Sequence, residues 1–141
     1  MVEFVPMEQW GKDHWSTFAY IETLCVDGTG TPDPRRMRTN GRKYPTRLKE
    51  GKELSNHNDW DCAKDLEAAG LILDVNGFDC HPIPTTSGLK LPKFKLTELG
   101  WMVIGQLRKH LASGGIYFDF NPAGVSKEKQ EVQKEVQEGE K

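Results

Sequence analysis

The sequence predicts a single α+β domain built from three main helices, a hairpin-like excursion and a basic loop. Three observations carry this. Apolar residues recur at helical spacing in 13–26, 59–69 and 97–113. Two short apolar runs, 71–75 and 93–96, flank a proline-broken stretch and read as paired strands. Residues 28–45, "GTGTPDPRRMRTNGRKYP", show no apolar period and are rich in Gly, Pro and Arg.

In 13–26, His14, Phe18, Ile21 and Cys25 fall on one helical stripe, with Asp13 placed to cap and Gly28 to stop. In 28–45, Pro32, Pro34 and Pro45 oppose helix, so an extended loop is expected. Residues 46–54, "TRLKEGKEL", read as a small hairpin anchored by Leu48 and Leu54, turning at Glu50-Gly51. Asn58 or Asp59 then caps a helix whose buried stripe is Trp60, Ala63 and Leu66, and Gly70 supplies its left-handed end. A strand over 71–75 turns at Asn76-Gly77, and the chain returns as "KFKL". Thr97 caps the last helix, with Leu99, Val103, Leu107 and Leu111 as its stripe. "IYFDF", 116–120, alternates and is expected to dock as an edge strand. The domain is read as 1–120. Residues 121–141 form a low-complexity charged tail, expected to be disordered or a frayed helix.

The 141 residues suit one domain, and no apolar run approaches the ~20 residues that span a bilayer. The first residues carry neither a basic nor an apolar leader pattern, and three widely spaced cysteines make a poor disulfide framework. A soluble, cytoplasmic protein is expected. The net charge of −2 conceals strong blocks. Residues 35–52 hold eight basic side chains and one acidic, while 53–82 hold one basic and seven acidic.

The order of helix, helix, "LEAAGLI", hairpin, "KLTELG" and helix resembles the winged-helix superfamily. The matching positions are Leu66, Gly70, Leu71 and Ile72, then Lys95, Leu96, Thr97 and Gly100. The resemblance covers 59–112 and, loosely, 13–26. The helix that usually precedes the recognition helix is replaced here by the basic loop. The texture of the chain is also similar to small proteins of phage and prophage origin. The resemblance implies a nucleic-acid-binding or protein-docking module and no enzyme.

The expected nucleic-acid contacts are Arg35, Arg36, Arg38, Arg42, Lys43, Tyr44 and Arg47 of the loop, with Lys90, Lys93 and Lys95 of the wing. Cationic side chains bind phosphate, and Tyr44 can stack on a base. The plain alternative is that the loop neutralises the chain's own acidic helix. That helix carries Asp59, Asp61, Asp65 and Glu67 against Lys64, so it would repel a duplex in the usual docking. The rival function is therefore a phage-type interaction or inhibitor protein presenting Asp61, Asp65 and Glu67 to a basic partner, such as a host defence or nucleic-acid-binding protein.

A second rival is a zinc-stapled protein using His57, Cys62, Cys80 and His81. Their spacing matches no known finger, so neither metal nor other cofactor is expected. His14 reads as a packed histidine, Cys62 as a buried structural cysteine, and His110 as a partner of its helix dipole. Trp10, Trp15, Trp60 and Trp101 read as core anchors. No nucleophile, phosphate-loop or other catalytic spacing is present in the sequence.

Overall fold

The computed structural model describes residues 4–39, 45–55 and 57–122. Arg42, Lys43, Tyr44 and the tail from 123 onward lie outside the described residues.

Three helices carry the domain: α1 (Lys12–Asp27), α2 (Asp59–Ala68) and α3 (Glu98–Ala112). Among the described residues, six short strands form three antiparallel pairs: β1 (Thr46–Arg47) with β2 (Glu53–Leu54), β3 (Ile72–Asp74) with β6 (Phe94–Leu96), and β4 (Ile83–Thr85) with β5 (Gly88–Lys90). The arrangement is α+β and winged-helix-like. The β3–β6 pair leads out of α2 and into α3, and the β4–β5 hairpin projects between them.

The predicted stripes make the core. His14, Phe18 and Ile21 of α1 are buried, with Cys25 half-buried. From α2 come Trp60, Ala63 and Leu66; from α3 come Val103 and Leu107 of the expected stripe, with Ile104 beside them, while Leu99 and Leu111 are half-buried at its edge. The β3–β6 register sets Ile72 opposite Leu96 on the inner face, while Leu73 and Lys95 face out. Trp10 and Trp15 meet edge to face at 5.0 Å, and Phe120 packs edge-on against Trp15 at 4.7 Å. Each such side chain contributes roughly 1.5–3 kcal/mol by leaving water.

Local chemistry explains the ends of α2. Asn58 accepts from the Asp61 backbone N–H, and the Asp61 carboxylate accepts from that of Asn58, closing a capping box. Gly70 ends the helix at φ +84°, where a side chain would be strained. After β3, the Asp74 carboxylate accepts from the backbone N–H groups of Asn76, Phe78, Cys80 and Lys93, gathering the excursion onto one side chain.

Three expectations need correction. Asp13 does not cap α1. Gly11 holds that position, and Asp13 points inward from the first turn. Residues 116–120 form no edge strand. Tyr117–Asp119 make a 3-10 turn, stitched by the Asp119 carboxylate accepting from the Ile116 N–H and by its contact with His110; Phe120 is buried in the core and Tyr117 packs half-buried against it. Trp101 is not a core anchor, because it stands on the outer face of α3 and is 45% exposed.

Two glycines of α3 give a paired prediction. A Cβ on Gly100 would lie 2.0 Å from the backbone oxygen of Leu71, whereas one on Gly105 would meet nothing within 4 Å. Gly100→Ala should therefore destabilise by about 1–3 kcal/mol through overpacking. Gly105→Ala should stabilise by up to about 1 kcal/mol through helix propensity. Chemical denaturation of the two variants measures both signs.

Candidate metal centre

Four segments converge beneath Trp10. His14 comes from the first turn of α1, His57 from the residue before the α2 cap, Cys62 and Asp65 from α2, and Thr46 from β1. Cys62 and Asp65 are three residues apart and so share a helix face. The capping box fixes the chain at Asn58, which folds His57 back onto Asp65.

The Asp65 carboxylate is the hub. Its Oδ2 lies 2.7 Å from Nε2 of His14 and 2.7 Å from Nε2 of His57. Its Oδ1 accepts from the Val5 N–H at 3.1 Å. Asp65 is 2% exposed and His14 is fully buried. Trp10 stacks on His14 with centroids 5.2 Å apart, and its indole N–H donates to the Val5 carbonyl at 2.8 Å. The Thr46 hydroxyl donates to the His57 carbonyl and lies 3.8 Å from the Cys62 sulfur.

One ligand atom from each of His14, His57 and Cys62 lies within 4.8 Å of the other two, which marks a group able to hold a metal ion. His14 Nδ1 is buried and has no hydrogen-bond partner. A buried nitrogen left so costs about 1–3 kcal/mol, and a bound cation would satisfy it. Burial pushes the His14 pKa down against the pull of Asp65, so the neutral ring, the form that ligates metal, is favoured. Burial pushes the Asp65 pKa up, but the hydrogen bonds from the two rings outweigh it and hold the carboxyl ionised. Burial, then the nearby Asp59, pushes the Cys62 thiol well up, so a cation is what would draw out its thiolate.

Cysteine, histidine and carboxylate also compose a nucleophile–base–orienter set. This one does not suit that role. Cys62 and His14 have no exposed surface, and Cys62 is held as a neutral thiol. Neither the surface hollow lined by Glu8, Gln9, Leu48, Lys49 and Lys52 nor the one lined by Ser16, Thr17, Tyr20, Arg36, Met37 and Asp59 is lined by any of these residues.

Of the zinc quartet read from the sequence, only His57 and Cys62 come together. His81 instead bonds Asp61 through Nε2 and the Asp79 carbonyl through Nδ1, and Cys80 is buried beside Glu67 and Asp74. The missing member is His14, 43 positions away from His57 in the chain. The available signal was a histidine on an otherwise apolar stripe, which only a buried partner can satisfy.

The other predicted site residues separate. Arg38 is no free cation. Its guanidinium bridges Asp13 at 2.7 Å and Asp59 at 3.0 Å, and its backbone N–H donates to Asp59, bolting the loop to α1 and α2. Arg35 pairs with Asp33 at the surface. Arg36 lies over the Tyr20 ring, and it is exposed together with Arg47, Lys90, Lys93 and Lys95. On α2, Asp65 is turned into the core and is not part of an outer acidic surface. Asp61 serves the cap and His81, and Glu67 accepts from the Asp74 N–H at 2.9 Å.

The Asp61–His81 contact ties the excursion to α2. The hydrogen bond that the His81 Nε2–H donates to the Asp61 carboxylate raises the His81 pKa above 6.5, and burial opposes it. A raised histidine pKa contributes stability below the unfolded value, and that contribution is lost as pH rises through the folded one. Asp61→Asn keeps an acceptor for the cap but removes the charge. NMR titration should then show the His81 pKa falling back toward 6.5, and an unchanged pKa would mean that the pair does not form. No protein-family profile, curated protein or solved structure matches this chain.

Proposed function

We propose that this chain is a non-catalytic module whose fold is stapled by a bound metal ion of the zinc class, held by His14, His57 and Cys62. The carrying observation is the convergence of two imidazoles and a thiol within 4.8 Å, with a buried His14 nitrogen left without a partner. Two nitrogens and one sulfur suit a borderline cation such as zinc and do not suit magnesium or calcium, which take oxygen. Three protein donors leave a fourth position to water or another group, and the burial of His14 and Cys62 keeps that position away from bulk solvent, which favours a structural role for the ion. The ion would join α1, the approach to α2 and α2 itself, the elements that the basic loop separates in sequence. A docking role for the outer surface is compatible with this reading. The nucleic-acid reading draws on the exposed Arg36, Arg47, Lys90, Lys93 and Lys95. It loses Arg38 to the Asp13–Asp59 clamp, and the acidic-surface reading loses Asp65.

Protein purified without chelator should carry about one zinc per chain by elemental analysis. Stripping the metal should lower Tm by roughly 10 °C, since a tightly bound ion contributes about 4 kcal/mol at a thousandfold excess over its Kd. Cys62→Ser should lose the zinc, and Cys80→Ser should keep it. Metal-free protein that takes up no added zinc and melts unchanged would overturn the proposal.

A further inference from the structure

The metal reading leaves Asp65 without an assigned part, although it is the group that touches both rings. We infer that Asp65 is a positioning residue outside the coordination shell. It holds His14 and His57 by their Nε2–H groups, so that both rings present Nδ1 to a zinc-class ion. The inference rests on the proposed staple and deepens it.

An ionised carboxylate can only accept hydrogen bonds. With both Nε2 atoms at 2.7 Å from one oxygen, a ring that donates its Nε2 proton there and binds metal does so through the Nδ1 lone pair. In His14 that nitrogen is the buried atom with no partner. The mutually close donor group comprises His14, His57 and Cys62 without Asp65, so the carboxylate stands outside the candidate ligand set while bonded to both of its rings. Metal-bound histidines usually donate their other N–H to such a carboxylate, which fixes the tautomer and raises the basicity of the ligating nitrogen. Here one carboxylate would serve two ligands. Its Oδ1 is held by the Val5 N–H, so the N-terminal segment orients the orienter.

The test uses the full chain loaded with Zn(II) and, separately, with Co(II). Long-range 15N–1H NMR of the zinc protein should show His14 and His57 both protonated at Nε2 and ligated through Nδ1. Asp65→Asn should weaken zinc binding roughly 10- to 100-fold, the usual cost of losing such a partner. It should still retain the sulfur-to-cobalt charge-transfer band that Cys62→Ser abolishes. Ligation through Nε2 in either ring would overturn the inference and leave the staple standing, as would wild-type affinity in Asp65→Asn. Failure of the wild-type chain to bind either ion would overturn both. The tautomer measurement needs no variant, so it decides the question even if Asp65→Asn does not fold.

Discussion

Everything in this domain converges on a carboxylate that has left water. Burying an isolated charge costs several kcal/mol, so Asp65 is tolerable only with its oxygens occupied. Val5, His14 and His57 occupy them, and these residues come from the N-terminal segment, α1 and the approach to α2. One side chain thus fixes the relative placement of three parts of the chain. A buried ion pair is weak evidence for stability on its own, because apolar packing often does as well. Its value here is register. It sets how α1 and α2 meet, and it turns two rings and a thiol toward one another.

The acidity of α2 follows from the same logic. Its carboxylates have work inside the chain. Asp59 grips Arg38, Asp61 closes the cap and meets His81, Asp65 holds the histidines, and Glu67 receives the Asp74 N–H. The alternating charge blocks are in part an internal pairing scheme, with Arg38 its clearest instance.

Most of the fold was legible because its signals are local. The α1 and α3 stripes, the Asn58 and Thr97 caps, the Gly70 stop and the β3–β6 pair each sit within a few residues of what causes them. Of the candidate metal centre, His57 and Cys62 were legible as zinc-type residues, but His14 and the Asp65 hub were not, for a physical reason. α2 is buried along 59, 62 and 65 as well as along 60, 63 and 66, which leaves a narrow face of Asp61, Lys64 and Glu67 toward water, and nothing in the spacing separates the buried Asp59 and Asp65 from it. Asp65 therefore looked like surface charge. His14 is brought to Asp65 by the packing of α1 on α2, which no spacing rule encodes. The misreadings at 116–120 and Trp101 have a similar source. Alternation marks a strand only where a partner strand exists, and a tryptophan is core only where something covers it.

The central claim is that His14, His57 and Cys62 share one ion. Zinc K-edge X-ray absorption of the purified chain reads that shell directly. The account predicts one sulfur at about 2.3 Å, with the remaining ligands nitrogen or oxygen at about 2.0 Å, including the imidazole scattering of two histidines. A zinc shell with no sulfur and no imidazole signature would contradict it.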